Sequence, residues 1–267
     1  MSSEPRSNAS RVPRPDRDPG PNLILGLGGN VLLDLGLGLL LTLLTASSAG
    51  LLQELGGAHL ATSALLYLGL SALLLIGRTE PFPGVGLGPA NRVTLIRATL
   101  ILPVAALLMS PQELSWGLAW WVIGVSTLAM VLDGVDGRLA RSTGTSTSFG
   151  ARFDMELDAF LILVLSILVW RSGQVGAWVI LIGAIRYLFV GAGWIWPALQ
   201  GSLPPSWRRK AVCVVQGVGL LVALGPIIPP SVAALSAGMA LAFLLYSFGS
   251  DVRWLLARSG GRSGSPG

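Results

Sequence analysis

What most constrains this chain is a succession of apolar runs, each long enough to cross a lipid bilayer and nearly free of charge. Eight can be counted, at about 23–45, 58–77, 91–110, 115–136, 150–170, 175–196, 209–228 and 231–257. A helix needs about 20 apolar residues to span the hydrocarbon core. Within lipid, backbone polar groups must be satisfied internally, so runs of this length are helices. Charged residues make up 12% of the 267, where a soluble domain carries roughly 25%, so a water-facing surface cannot be clothed. The 35 glycines and 17 prolines follow no triplet repeat and sit among the apolar runs. The predicted fold is an all-α integral membrane protein with eight transmembrane helices.

The connectors carry the orientation. Arg6, Arg11, Arg14 and Arg17 precede the first run, and Arg78 and Arg92 separate the second from the third. Arg138, Arg141 and Arg152 flank the join of the fourth and fifth, Arg208, Arg209 and Lys210 open the seventh, and Arg258 and Arg262 follow the eighth. In an eight-span alternation all of these fall on one side, whereas the opposite connectors hold Glu54, Glu113 and a lone Arg171. The positive-inside rule makes the Arg-rich side and both termini cytoplasmic. Trp116, Trp170, Trp194, Trp196 and Trp207 stand near run ends, as an interfacial aromatic belt requires. Residues 1–21 are polar and read as a disordered cytoplasmic tail, not a signal peptide, and 259–267 as a flexible C-terminal tail. The Gly/Pro-rich stretch from Pro81 to Pro89 separates a hairpin over 22–80 from the later runs.

The rarer residues exclude several chemistries. A lone Cys213 cannot form an intramolecular disulfide, and with His59 as the only histidine no zinc or haem site of ordinary ligand spacing can be assembled. Any metal must be held by carboxylates, which suits a hard cation. The net charge of +5 belongs to residues flanking apolar runs, so anionic lipid headgroups account for it better than nucleic acid.

Acidic residues gather in one place. Asp133 and Asp136 are three apart at the end of the fourth run, and Asp154 and Asp158 four apart at the start of the fifth. Such spacings share a helix face, so two neighbouring helices can turn four carboxylates toward one point. Anions so close repel unless cations neutralise them, and an Asp inside a span costs about 2.5–3.5 kcal/mol at mid-membrane. Solvated helix ends would be the plain alternative. Against it stand Gly137 and Gly150, which permit close backbone approach, and Arg141, a fork for phosphate oxygens.

The segment D-x2-D-G-x2-A-R-x8-G-x3-D-x3-D, formed by Asp133, Asp136, Gly137, Ala140, Arg141, Gly150, Asp154 and Asp158, resembles the signature of the CDP-alcohol phosphotransferase family. Pro89, Asn91, Thr94 and Arg97 are similar to that family's P-N-x2-T-x2-R lead into its first core helix, with Ala90 inserted after the proline. The resemblance covers about 88–258 and implies a six-helix core, leaving the N-terminal hairpin outside. It implies transfer of a substituted phosphate group from a CDP-alcohol such as CDP-diacylglycerol to a small hydroxyl acceptor, with release of CMP. By position, Asp133, Asp136 and Asp154 would hold two Mg²⁺ or Mn²⁺ ions, and Asp158 would take the acceptor's proton. Thr94, Gly137, Ala140, Arg141 and Gly150 would line the CDP site. Family members often form homodimers, and a bacterial inner membrane is the expected location, with the site on the cytoplasmic face.

For the acceptor, Arg186 lies within a span, where an arginine needs a partner or a polar cavity, and Arg208, Arg209 and Lys210 open the seventh run. They suit an anionic acceptor such as glycerol 3-phosphate or inositol phosphate, although Arg208 and Arg209 would equally serve as a positive-inside anchor. A transferase joining CDP-choline or CDP-ethanolamine to diacylglycerol is the alternative within the family. A cation transporter is the alternative outside it, but its carboxylates would lie near the midplane of a repeat fold. Asn30 and Asp34 are expected to form a buried polar pair between helices, His59 to be interfacial, and Glu156 to point away from the aspartates.

Overall fold

The computed structural model describes residues 29–77, 87, 89–143, 148–196 and 206–260; for 29, 89–90, 135–143, 148–149, 151 and 255–260 it describes the backbone alone. Both expected tails, apart from the last turn of the final helix, and most of the Pro81–Pro89 connector lie outside these residues. Eight α-helices follow one another, with no strand among the described residues: α1 Gly29–Gly50, α2 Gly56–Ile76, α3 Pro89–Ala106, α4 Trp116–Thr143, α5 Ser148–Arg171, α6 Ile180–Ile195, α7 Trp207–Leu224 and α8 Pro230–Gly260. Six of them, all but α5 and α7, are long and apolar enough to cross a bilayer. The other two carry charge in their N-terminal halves: Arg152, Asp154, Glu156 and Asp158 in α5, and Arg208, Arg209 and Lys210 in α7. The chain is an all-α integral membrane protein.

Helix α3 stands at the centre, packed against α1, α2, α4 and α5. It is apolar on nearly every side, as a helix without a solvent face must be, and Ala98, Ile101, Val104 and Ala105 are buried along it. Pro103 lies near its end; the helix closes three residues later in a 3-10 turn, Leu107–Met109. Arg171, at the end of α5, closes that turn by donating to the carbonyls of Leu107, Leu108, Ser110 and Gln112 at 2.6–3.2 Å. The remaining helices form a second layer in which α7 and α8 pair, α7 leans on α4 and α5, and α6 on α5.

Lipid is as apolar as leucine, so close packing and polar links hold such helices together. At Gly183 of α6 a Cβ would collide with the backbone of Leu163 on α5, so only glycine lets these two helices come so close. On the other side of the bundle, Ser236 donates to the carbonyl of Gly219 at 3.0 Å and joins α8 to α7. The hairpin α1–α2 is fastened to the core at both ends. At one, Gln53 donates to Gln112 Oε1 and the Glu113 carbonyl and accepts from the Ser115 N–H, at 2.9–3.0 Å, while Trp121 Nε1 donates to Ser48. At the other, Asp34 meets the start of α3. Between them Tyr67 of α2 donates to the Leu35 carbonyl at 2.8 Å.

The helices match the eight expected runs, and the exposed Trp116, Trp170, Trp194, Trp196 and Trp207 stand at or beside helix ends. Two expectations need correction. Helix α4 does not stop near Asp136 but continues to Thr143, carrying Gly137, Ala140 and Arg141 on its backbone. Asn30 and Asp34 do not pair: Asn30 is exposed, and Asp34 turns to α3 instead. His59, in the first turn of α2, is buried, and neither ring nitrogen has a hydrogen-bond partner.

Candidate active site

The site grows from the first turns of α3. Asn91 donates from Nδ2 to the carbonyl of Leu87 at 2.9 Å, tying the helix to the residue that leads into it. One turn further on come Thr94 and Arg97, three apart and therefore on one face; both are buried, and Arg97 has no exposed surface. That face meets α4 one turn before Asp133, where Arg97 Nε donates to the Ala129 carbonyl at 3.1 Å. It also meets the start of α5, whose i, i+4 spacing stacks Asp154 and Asp158 on one side.

The Arg97 guanidinium binds all three aspartates. Nη1 lies 3.0 Å from Asp133 Oδ1 and also contacts Asp154 Oδ1, while Nη2 binds Asp158 Oδ1. A buried arginine is costly unless its charge and hydrogen bonds are satisfied, and here its three nitrogens have carboxylate or carbonyl partners. The carboxylates form the open side: their side chains are 40%, 35% and 26% exposed for Asp133, Asp154 and Asp158, against 0% for Arg97.

One oxygen from each of these carboxylates can be chosen so that all lie within 4.8 Å of one another. Three carboxylates and one guanidinium leave a net of two negative charges. An all-oxygen donor set with that excess, on the accessible side of a fixed cation, fits a hard divalent ion. Asp133 and Asp154, the expected metal ligands whose side chains the structure describes, both lie in this cluster. Asp158, expected as a base, is beside them in the same cluster. The side chains of Asp136, Gly137, Ala140 and Arg141 lie outside the description; their backbone continues α4 beyond Asp133. Gly150 is in the first turn of α5, four residues before Asp154.

The residues expected to meet the acceptor are each engaged. Arg186 Nη2 pairs with Glu156 Oε1 at 2.5 Å, which supplies the partner a mid-helix arginine needs. Arg208 and Arg209 converge on Asp251 of α8 at 2.5 and 3.5 Å. The Lys210 ammonium lies 5.8 Å from the centre of the Trp207 ring. Nε of Arg186 and Nε of Arg208 are buried without a hydrogen-bond partner.

Two positions make contacts that spacing alone does not predict. Arg97 matches the family spacing without a role attached to it; an arginine eight residues into a mostly apolar helix was the available signal, because such a residue requires acids from elsewhere. Asp251 is the other, and the only acid in α8 was its signal.

Comparison with known proteins places this geometry. The family model for CDP-alcohol phosphatidyltransferase matches residues 88–246, well over half of the chain. A Mycobacterium tuberculosis protein named as a probable phosphatidylglycerophosphate synthase is 31% identical over 160 residues, 58% of this chain and 75% of its own length. A Mycobacterium bovis protein carrying the name of a cardiolipin synthase is 28% identical over 119 residues, 45% of this chain and 50% of its own. No solved structure matches the chain at a comparable level of significance. The match begins one residue before α3 and ends inside α8, taking in the intact motif from Asp133 to Asp158, and the chain belongs to the CDP-alcohol phosphatidyltransferase family.

Proposed function

We propose that this protein makes phospholipid by moving a phosphatidyl group from CDP-diacylglycerol to the hydroxyl of an anionic acceptor, releasing CMP. The observation that carries the reading is the Asp133–Asp154–Asp158 cluster around Arg97, formed by motif residues of a family that acts on CDP-alcohols. Among the acceptors, glycerol 3-phosphate is favoured over inositol phosphate by the name of the M. tuberculosis relative. The basic residues Arg186, Arg208, Arg209 and Lys210 support an acceptor bearing phosphate.

In this reading Asp133, Asp136 and Asp154 hold two divalent ions, Mg²⁺ or Mn²⁺. Bound there, such ions polarise the pyrophosphate and neutralise charge on the departing CMP. The acceptor oxygen attacks the phosphorus bearing the diacylglycerol, the bond from that phosphorus to the CMP oxygen breaks, and the hydroxyl proton passes to Asp158. Arg97 holds Asp158 through Oδ1, which leaves Oδ2 outside that contact to receive the proton. Arg97 keeps Asp154 and Asp158 in fixed register, so the acids need little reorganisation when substrate arrives. Thr94, Gly137, Ala140, Arg141 and Gly150 line the CDP site. The arginine-rich connectors put the site and both termini on the cytoplasmic face, expected to be that of a bacterial inner membrane, where a CDP headgroup stays in water and its acyl chains in lipid.

The test is CMP release by purified protein from CDP-diacylglycerol, with glycerol 3-phosphate, inositol phosphate, inositol or serine as acceptor. Glycerol 3-phosphate is expected to be the best. Activity confined to CDP-choline or CDP-ethanolamine with diacylglycerol would overturn the assignment of donor and acceptor.

A further inference from the structure

The family match begins at residue 88 and leaves the α1–α2 hairpin outside it. The hairpin nevertheless reaches the active-site helix through one carboxylate. Asp34 Oδ2 accepts from the backbone N–H of Leu87 at 3.0 Å and from Arg92 Nε at 2.9 Å. Its side chain is only 9% exposed. Leu87 itself is buried with Val31 of α1, Tyr67 and Leu74 of α2, and Leu95 and Leu102 of α3. Its carbonyl accepts from Asn91. One residue is thus held by its side chain in the hairpin's core, by its N–H on Asp34 and by its carbonyl on α3.

These bonds fix the level and rotation at which α3 begins. Asp34 also places a negative charge at the N-terminal end of α3, where the helix dipole favours it. From Asn91 to Arg97 is about 9 Å of helix at 1.5 Å per residue. A rotation or slide at the start of α3 is therefore carried into the guanidinium that holds Asp154 and Asp158. We infer that Asp34 is a positioning residue for the transfer reaction, and that the N-terminal hairpin serves as the seat that sets the register of α3 against α4 and α5. The inference rests on the transferase reading above.

The test uses the full-length purified protein carrying Asp34→Ala or Asp34→Asn, with Tyr67→Phe as comparator. Tyr67→Phe removes the Tyr67–Leu35 hydrogen bond within the hairpin and leaves both partners of Asp34 in place. Misplacement of a catalytic group by about 1 Å can cost 10²-fold, so Asp34→Ala is expected to lower kcat about tenfold, with KM for both substrates within about twofold of wild type. Asp34→Asn keeps an oxygen for the Leu87 N–H but loses the charge facing Arg92. It is expected to fall between wild type and Asp34→Ala, and it carries the test if the alanine variant does not fold. Tyr67→Phe is expected to lower the thermal midpoint while leaving kcat near wild type.

Hydrogen–deuterium exchange gives a readout independent of turnover: Asp34→Ala should speed exchange in the first two turns of α3 and leave α7 and α8 unchanged. Wild-type protein that releases no CMP from any CDP-alcohol would defeat the transferase reading, and exchange would then decide whether Asp34 seats α3. Wild-type kcat with unchanged exchange in Asp34→Ala would overturn the inference. So would an equal fall in kcat for Asp34→Ala and Tyr67→Phe at equal loss of thermal midpoint.

Discussion

Nη2 of Arg97 binds Oδ1 of Asp158, so a fully buried cation on α3 and the least exposed of the three clustered acids on α5 hold each other across the bundle. This contact ties the geometry of the proposed base to a different helix from the one that carries it.

Replacing that base isolates proton transfer from binding. General-base removal typically costs 10²–10⁴-fold, so Asp158→Asn should lower kcat for CMP release by about 100-fold or more. The CDP-lipid should still bind, since amide and carboxylate occupy nearly the same volume. Single-turnover CMP release and equilibrium binding of CDP-diacylglycerol check the two halves. A variant turning over near the wild-type rate would remove Asp158 from the role of base.

Arg97→Ala leaves three carboxylates facing one another without their counter-charge. Removing one partner of a buried pair costs about 3–5 kcal/mol, so the thermal midpoint in detergent with chelator should fall sharply. Addition of Mg²⁺ or Mn²⁺ should recover more of the midpoint in this variant than in wild type, because the ion then supplies charge that the guanidinium no longer does. Equal midpoints for the two proteins in chelator would contradict the counter-charge role.

CMP release should stop when divalent ions are stripped and return when Mg²⁺ or Mn²⁺ is restored. The measurement is turnover in chelator against turnover after back-titration. Undiminished release from metal-free protein would sink the metal assignment.

The pairing of Arg208 with Asp251 makes two roles separable. If Arg208 meets the acceptor's phosphate, Arg208→Ala forfeits a charged hydrogen bond worth about 1.5–3 kcal/mol. KM for glycerol 3-phosphate should then rise by about tenfold or more, with KM for the CDP-lipid unchanged. Asp251→Asn should give a smaller rise in the same constant by loosening the guanidinium. A fall in thermal midpoint with no change in acceptor KM would make the cluster a membrane-side anchor.

Gly183→Ala drives a methyl group into the backbone of Leu163, which cannot rotate aside. Overpacking of this kind costs about 1–3 kcal/mol, and Leu163 lies five residues beyond Asp158 on α5, so activity should fall with stability. Gly36→Ala on α1 has nothing within 4 Å of the added carbon and should leave both near wild type. Thermal unfolding in detergent, read beside CMP release, compares the two. Equal behaviour would mean that the α5–α6 crossing is looser than the structure has it.

Six of the helices were legible because lipid leaves so few options: an uncharged run of sufficient length has to be a helix; α5 and α7 were legible from the apolar residues that follow their charged starts. Asp133, Asp154 and Asp158 were legible for the same reason, being anions where anions are expensive. The partners of Asp34 were not. Hydropathy and spacing tell which residues share a face of one helix but not which face meets which neighbour, so Asp34 was assigned to Asn30 four residues along rather than to Leu87 and Arg92, more than fifty residues away in sequence. The end of α4 was missed because Gly137 and the charges after Asp136 look like the edge of a span, whereas a helix leaving the bilayer can continue in water.

Arg97 also bears on how the protein is assembled. Its acidic partners Asp154 and Asp158 follow it by 57 and 61 residues, so a growing chain delivers the guanidinium before the carboxylates that satisfy it exist. A lone arginine at mid-membrane carries a penalty of about 2.5–3.5 kcal/mol on insertion scales, so α3, although apolar enough to cross a bilayer, is better accommodated once its acidic neighbours are in place. A nascent protein halted before α5 leaves that charge with Asp133 and the Ala129 carbonyl of α4 but without Asp154 and Asp158. Completing α5 supplies the two remaining carboxylates and closes the acidic cluster around Arg97, so the proposed active site can exist only once α5 has joined α3 and α4.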